Sequence, residues 1–172
     1  MGFQSMSLPQ ISLPGPRAPG VYQARQLGSV AHRAIRNLGT FCGSIAYGDP
    51  AAEWPACLLA LDGVVGARSV DGERRIAARD FYTGLYTTTL APNEMIVGCE
   101  IPLATADQRF VFDELSRRHG DYAVAGLAAR AQLRDGVLGE VRLAWLGTGS
   151  MPQRSLAAEQ ARPETALWSR LR

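Results

Sequence analysis

Residues 34–55, AIRNLGTFCGSIAYGDPAAEWP, place a row of small and turn-forming residues directly before an apolar segment. The row contains a Gly-Thr-x-x-Gly-Ser run at residues 39–44 and an Asp-Pro pair at residues 49 and 50. Such a loop can make a tight turn, admit a ligand where a Cβ atom would collide, or present successive amides to an anion. Taken alone, the run favours a plain turn. Its spacing differs from that of the dinucleotide-binding fingerprint, and the chain has no lysine to end a phosphate-binding loop.

The composition is that of an ordinary water-soluble protein. The chain has 172 residues, 47% hydrophobic and 20% charged, with a formal net charge of +2 at pH 7. The sequence therefore predicts neither a nucleic-acid partner nor insertion into a membrane. Its three cysteines, Cys42, Cys57 and Cys99, match neither a metal-ligand spacing nor a disulfide framework. Because the first residues also lack the features of a secretory signal, we expect a reducing, cytoplasmic location.

Changes in pattern divide the sequence into three parts. Residues 1–24 are rich in proline and glycine and are expected to form a tail. Residues 25–104 and 105–172 mix helix and strand patterns, which predicts two lobes of an α+β fold. The first lobe is expected to open with a short helix at residues 24–37.

The first lobe continues with a second helix and several strands. The segment AAEWPACLLALDG is typical of a helix, with Asp49 as its N-cap, Pro50 in its first turn and Asp62-Gly63 at its end. VVGARS and MIVGCEIPL are expected to be strands. Between them, Asp71-Gly72 is a hairpin signal.

The second lobe is expected to contain a strand at RFVFDELS and a hairpin at LAARAQLRDGVLGEVRLAWLG, turning at Asp135-Gly136. Side chains alternate with a period of two between two faces of the hairpin, one of which carries Arg130. We expect the face opposite Arg130 to point inward. Its members are Leu127, Ala129, Ala131 and Leu133, followed on the next strand by Val141, Leu143 and Trp145. Residues after Ser155 are expected to be helical, with a break at Pro163.

The run IRNLGTFCGSIAYGDPAAEWPACLLALDGVV resembles the second flavin-binding segment of the molybdenum hydroxylase flavoproteins. This family includes the FAD subunit of aerobic carbon monoxide dehydrogenase and the FAD domain of xanthine dehydrogenase. The resemblance continues through ARDFYTGLYTTTLAPNEMIVGCEIPL, FDELSRRHGDYAVAGLAARAQL and MPQRSLAAEQA, and it covers residues 25–165. It implies the second lobe of a two-lobed FAD-binding domain of the vanillyl-alcohol-oxidase (PCMH) type. A small α/β lobe with antiparallel strands and C-terminal helices follows.

The resemblance also implies a set of residues that contact FAD. The family's loop lies along the pyrophosphate and ribityl chain, Glu53 stands at the position of an acid that hydrogen-bonds this chain, and Tyr122 stands near the flavin ring. The implied set is Thr40, Phe41, Cys42, Gly43, Ser44, Glu53 and Tyr122. The alternative for Glu53 is an acid that favours the helix dipole, and the alternative for Tyr122 is a core tyrosine.

Other conspicuous side chains receive structural interpretations. Arg117 and Arg118 with Asp121 are expected to tie the hinge between the lobes by ion pairing. Cys42 replaces the glycine that is usual in the family, and the sequence places no other cysteine close to it. Arg36 and Asn37 are interpreted as turn formers. His32 and His119 are interpreted as surface or packing residues, since nothing beside them completes a metal site or a catalytic triad.

The function implied by the resemblance is electron transfer by an FAD-binding subunit. Partners would be a molybdenum-cofactor large subunit and an iron–sulfur small subunit, and no side chain of this chain is required as a catalyst. The family normally has a preceding lobe with another Gly-Gly segment, which we expect this chain to lack. The alternative is therefore a truncated remnant or an interaction module that does not hold FAD on its own.

Overall fold

The computed structural model describes residues 39–118 and 121–161. The tail at 1–24, the helix at 24–37, Arg36 and Asn37, and both histidines lie outside these residues. So do residues 162–172 of the expected C-terminal helices.

The described chain begins with two short helices, α1 (Phe41–Tyr47) and α2 (Glu53–Ala60). They are followed by β1 (Val64–Ser69), β2 (Gly72–Ala77), a 3-10 turn (Ala78–Asp80), β3 (Tyr82–Gly84), β4 (Thr87–Thr88) and β5 (Met95–Glu100). The second half contains β6 (Gln108–Ser116), β7 (Ala123–Arg134), β8 (Val137–Leu146), β9 (Gln153–Arg154) and α3 (Leu156–Gln160).

All the strand pairs are antiparallel. A three-stranded sheet has the order β2-β1-β5, β3 pairs with β4, and a four-stranded sheet has the order β6-β7-β8-β9. The predicted turns at Asp71-Gly72 and Asp135-Gly136 connect β1 to β2 and β7 to β8. At the second turn both residues have positive φ, 50° for Asp135 and 78° for Gly136, as a tight hairpin turn requires. The expected α+β fold with antiparallel sheets is confirmed.

The second helix starts later than predicted. Its first residue is Glu53, and its N-cap position is held by Ala52 without a side-chain hydrogen bond. The Asp49 carboxylate instead accepts a hydrogen bond of 2.8 Å from the amide of Ala51. Asp49 therefore stabilises a turn before the helix, because a short acidic side chain can close a local turn with the backbone two residues on.

Helix α2 lies at the centre of the molecule and joins the two lobes. It packs against β7 and β8 of the four-stranded sheet, while α1 packs against β5 and α2. One apolar cluster includes Leu58 and Leu59 of α2, Val65 of β1, and Ala144 and Leu146 of β8. Both lobes thus share one continuous core among the described residues.

The inward face of the hairpin is opposite to the predicted one. The residues buried on the side that packs against α2 are Gly126, Ala128, Arg130, Ala144 and Leu146. The predicted inward row (Leu127, Ala129, Ala131, Leu133, Val141, Leu143 and Trp145) is only half-buried. Small side chains on the true inner face let α2 approach closely, and the charge of Arg130 is paired there.

The outer face of the four-stranded sheet carries large apolar side chains, among them Val111, Leu115, Leu127, Leu143 and Trp145. Trp145 is the register partner of Leu127, and Leu143 is the partner of Ala129, which places them on one side. On edge strand β6, Val111 is 52% exposed and Leu115 is 66% exposed. The described residues thus leave this apolar surface partly open.

The ion pairs between the lobes converge on Asp62, directly after α2. Its Oδ2 atom accepts from Arg130 Nη2 at 2.7 Å and from Arg142 Nε at 3.0 Å, and its Oδ1 atom accepts from Arg154 Nη1 at 3.0 Å. Arg130 is only 8% exposed. The carboxylate of Asp62 therefore pairs with guanidinium groups on three strands of the other lobe.

The predicted hinge pairing is wrong. Within residues 39–118 and 121–161, neither Arg117 nor Arg118 forms a salt bridge, and Asp121 accepts only from the following amide, at 3.0 Å. Both arginines are exposed at the end of β6, where water solvates their charge.

None of the helices in the described ranges is long and apolar enough to cross a membrane.

Candidate functional site

The Gly-Thr-x-x-Gly-Ser run forms the beginning of helix α1. Thr40 is its N-cap, with extended backbone angles, and its Oγ1 atom accepts a hydrogen bond of 3.0 Å from the amide of Gly43. Gly48 ends the helix in the left-handed conformation, with φ of 66°. A Thr cap and a Gly stop are the usual signals of a helix, so the prediction of a loop at residues 40–44 is wrong.

The helical turn changes which amides are free to bind an anion. The amide of Gly43 is bound by Thr40 Oγ1, and the amide of Ser44 donates to the Thr40 carbonyl at 3.0 Å. The amides of Phe41 and Cys42 occupy the first helical positions, where no intrahelical acceptor exists. A Cβ atom at Gly43 would lie 2.7 Å from Thr40 Oγ1, so glycine is needed here for the cap.

Two side chains of this turn point into the protein. The ring of Phe41 packs edge-on against Trp54 of α2, with ring centroids 5.2 Å apart. The Cys42 thiol accepts a hydrogen bond from the thiol of Cys99 on β5. The expectation that Cys42 has no neighbouring cysteine is therefore wrong, since β5 returns beside α1.

The loop between α1 and α2 is held by the second lobe. The Gly147 amide, just after β8, donates to the Pro50 carbonyl at 2.8 Å. With the Asp49 turn, this bond fixes the direction in which the chain enters α2. The position of Glu53, the first residue of α2, thus depends on both lobes.

Glu53 lies in an acidic environment. Burial raises the pKa of its carboxyl group above the ordinary value, and the nearby carboxylates of Glu114 and Asp49 raise it further. No arginine forms a salt bridge with Glu53 among the described residues. A half-buried carboxylate without a cation is ready to accept hydrogen bonds from the hydroxyl groups of a ligand.

Three exposed tyrosines adjoin these acids. Tyr47 and Tyr86 have ring centroids 5.0 Å apart and are 63% and 51% exposed. The charge of Asp49 raises the pKa of the Tyr86 hydroxyl most, and burial, Tyr47 and Tyr122 raise it further, so Asp49 and Tyr122 lie within electrostatic reach of Tyr86. The tyrosine–carboxylate patch consists of Tyr47, Tyr86, Tyr122, Asp49, Glu53 and Glu114.

Asp49 interacts electrostatically with both Glu53 and Tyr86, and Tyr86 also interacts with Tyr122, so the sequence-predicted residues Glu53 and Tyr122 belong to one electrostatic neighbourhood. Sequence reasoning missed Tyr47 and Tyr86. Tyr47 sits at the last turn of α1, and Tyr86 has a left-handed backbone with φ of 51°. The only signal for Tyr86 was its place in the turn before β4, which does not reveal what the ring contacts.

The donor set is chemically suited to a dinucleotide such as FAD. The first turn of α1 contains no acidic side chain, so a phosphate group beside its amides would meet no repulsion from this turn. The carboxylates lie at the patch instead, where they suit ribityl and ribose hydroxyl groups. Exposed tyrosine rings can stack on a flavin. The residues present thus fit the cofactor.

Two protein families match the sequence. Residues 4–104 match the FAD binding domain in molybdopterin dehydrogenase, and residues 110–169 match the CO dehydrogenase flavoprotein C-terminal domain. The first match begins inside the proline-rich segment at residues 1–24, ahead of the resemblance noted from the sequence alone.

Curated relatives and solved structures agree with these matches. The chain is 40% identical over 141 residues to the 6-hydroxypseudooxynicotine dehydrogenase complex subunit alpha of Paenarthrobacter nicotinovorans, covering 81% of this chain and 48% of the relative. It is 42% identical over 130 residues to the nicotine 6-hydroxylase medium subunit of the same organism, covering 76% and 45%. The chain thus spans about half the length of these relatives.

A carbon monoxide dehydrogenase structure from Hydrogenophaga pseudoflava superposes with a TM-score of 0.81 and 30% identity, covering 87% of this chain and 54% of that one. The antiparallel sheets and central helix described above are therefore an architecture found in this group of enzymes. Residues 110–169 match the CO dehydrogenase flavoprotein C-terminal domain. The chain belongs to the family of FAD binding domains in molybdopterin dehydrogenases.

Proposed function

We propose that this chain supplies part of the FAD site of a molybdenum-containing hydroxylase or dehydrogenase. FAD, when bound, takes electrons from iron–sulfur clusters on a small subunit and passes them to an external acceptor. The substrate is oxidised at a molybdenum centre on a large subunit. The observation that carries the proposal is the electrostatic neighbourhood that unites Glu53 and Tyr122 in a chain whose residues 4–104 match an FAD-binding family.

The roles of individual residues follow from their chemistry. The first turn of α1 lies along the pyrophosphate and ribityl chain of FAD, with the amides of Phe41 and Cys42 toward the phosphates. The residues of this turn are Thr40, Phe41, Cys42, Gly43 and Ser44. Glu53 accepts hydrogen bonds from cofactor hydroxyl groups. Tyr122 lies against the isoalloxazine ring. These residues bind and orient FAD, and none of them is asked to transfer a proton.

The proposal for partner subunits is supported by the names of the relatives, which are a subunit alpha and a medium subunit of larger enzymes. To test it, the chain is co-expressed with candidate molybdenum and iron–sulfur subunits, and the complex is purified. We expect a complex that contains FAD, seen by flavin absorbance and quantified after release. A complex that forms without flavin, even after incubation with excess FAD, would contradict the proposal and favour an interaction module.

Glu53→Gln is expected to weaken FAD binding and to stabilise the chain. The loss of a charged acceptor should reduce FAD affinity by about 10-fold or more. Because burial raises the folded-state pKa of Glu53 above 4.5, its charge opposes folding at neutral pH. The variant should therefore melt higher than the parent at pH 7, and this difference should vanish as the pH falls to 4.5 and below.

Flavin fluorescence titration measures the affinity for FAD. Thermal melts between about pH 4 and pH 8 measure the stability of the chain. Glu100→Gln is the matched control, since Glu100 is exposed on β5 and pairs with Arg75 away from the patch. It should leave FAD affinity unchanged. A Glu53→Gln protein that binds FAD as tightly as the parent would remove this residue from the site.

Tyr122→Ala is expected to lower FAD affinity by about 3–10-fold through loss of ring stacking. Tyr122 is 76% exposed, so its removal should leave the melting temperature nearly unchanged. Tyr122→Phe keeps the ring and should bind FAD like the parent. If the Phe variant loses as much affinity as the Ala variant, the hydroxyl group rather than the ring makes the contact.

A further inference from the structure

Cys42 and Cys99 come from parts of the chain that meet only in the fold. Cys42 lies in the first turn of α1, Cys99 lies near the end of β5, and α1 packs against β5. A hydrogen bond between the thiols of Cys42 and Cys99 contributes to the pKa values of both, which places the two side chains close together. Both thiols are free and half-buried.

The sheet register fixes the direction of Cys99. It is the partner of Val65 on β1, and Val65 is fully buried. Cross-strand partners share a face, so Cys99 points to the side of the sheet that α1 covers. Cys42 and Cys99 both pack against the apolar core there. The contact is therefore held by packing on both elements and does not depend on a mobile loop.

Cys57 provides an internal comparison. It lies on α2, and its pKa is raised to about 12 by burial and by the charge of Glu53, with no contribution from another thiol. Two of the three cysteines are thus paired in space, and the third stands apart.

We propose that Cys42 and Cys99 are an oxidisable pair, which closes to an intramolecular disulfide on reaction with a hydroperoxide. The Cys42 thiolate attacks one oxygen of hydrogen peroxide, the O–O bond breaks, and hydroxide leaves and takes up a proton as water. The Cys99 sulfur then displaces water from the resulting sulfenic acid, and the S–S bond forms. Overall, two thiols lose two protons and two electrons, and one peroxide becomes two waters.

The direction of the thiol hydrogen bond determines the order of these events. Donation from Cys99 stabilises the thiolate of Cys42, which makes Cys42 the attacking sulfur. Burial first raises the pKa of both thiols, that of Cys99 to about 12. The reaction is therefore slow at neutral pH and accelerates as the pH rises.

The bond would join the start of α1 to β5 and close the chain between residues 42 and 99. Cross-links that close long loops restrict the unfolded chain strongly. The oxidised protein is therefore expected to melt higher than the reduced protein, by roughly 5–15 °C. This consequence follows whether or not the chain holds FAD.

The test treats the full chain with hydrogen peroxide at low protein concentration and then analyses it by mass spectrometry without reduction. Digestion on the carboxyl side of acidic residues cuts after Glu53, which separates Cys42 from Cys57. We expect a cross-linked pair of peptides containing Cys42 and Cys99, lighter than their sum by two hydrogen atoms, which dithiothreitol separates. Melts before and after oxidation give the second measurement.

Three variants make the assignment specific. Cys57→Ser should keep both the cross-link and the increase in melting temperature. Cys42→Gly and Cys99→Ala should lose both, and Cys42→Ala replaces the glycine variant if that one does not fold. The proposal is overturned if oxidation gives separate sulfinic acids, a bridge that uses Cys57, or disulfide-linked dimers.

Discussion

Asp62→Ala is expected to lower the free energy of unfolding by about 3–5 kcal/mol. The carboxylate accepts hydrogen bonds from Arg130, Arg142 and Arg154, at distances of 2.7, 3.0 and 3.0 Å. Arg154 keeps a second partner, Glu159, but within residues 39–118 and 121–161 Arg130 has no carboxylate partner other than Asp62. The variant would therefore leave a buried guanidinium charge without compensation, which is far more costly than the loss of a surface pair.

Urea unfolding followed by circular dichroism measures this effect. Asp80→Ala is the matched control, because Asp80 pairs with Arg79 at 3.4 Å on the surface and its loss should change stability by less than about 0.5 kcal/mol. Asp62→Ala combined with Arg130→Met should recover part of the loss, since the uncompensated charge is removed. Equal stabilities for the Asp62 and Asp80 variants would show that the ion pairs of Asp62 make no net contribution to holding the lobes together.

Gly147→Ala is expected to lower the free energy of unfolding by about 2–4 kcal/mol. Gly147 has φ of 74°, where a Cβ atom is strained, and the added atom would lie 2.8 Å from the Val124 carbonyl oxygen. This oxygen belongs to β7 and cannot move without disturbing the sheet. Because the Gly147 amide also holds Pro50, the same change should shift the start of α2 and weaken FAD binding through Glu53.

Gly136→Ala separates the two causes. Gly136 has a similar φ of 78°, but an added Cβ atom meets nothing within 4 Å. That variant should lose only about 1–2 kcal/mol from backbone strain, with no change in FAD affinity. If both variants lose the same stability, the contact with β7 is not the source of the cost.

The strands could be predicted because their signals are local. Asp71-Gly72 and Asp135-Gly136 are turn sequences, and the segments VVGARS and VLGEVRLAWL beside them are short and carry branched apolar residues. The start of α1 could also have been predicted from Thr40 and Gly48, but the glycine-rich composition favoured a loop.

The orientation of the hairpin could not be predicted from its own sequence. A period of two identifies two faces without saying which one is buried, and Arg130 argued for an exposed face. Its partner, Asp62, is 68 residues away in the sequence. A buried arginine is acceptable only when such a partner is supplied, and that information exists only in the fold.

The candidate site shows the same division between local and distant signals. The family resemblance predicted Glu53 and Tyr122. Tyr47 and Tyr86 are in contact because the end of α1 lies beside the turn between β3 and β4. The contact between Cys42 and Cys99 likewise depends on how β5 pairs with β1. The spacing of these residues along the sequence does not predict their contacts in the fold.

The outer face of the four-stranded sheet has a consequence for the solubility of the chain. On its edge strand, Arg109 and Asp113 alternate with Val111 and Leu115, and all four side chains are exposed. The opposite charges of Arg109 and Asp113, four residues apart on this face, discourage another β-strand from adding to this edge and so protect the protein against aggregation.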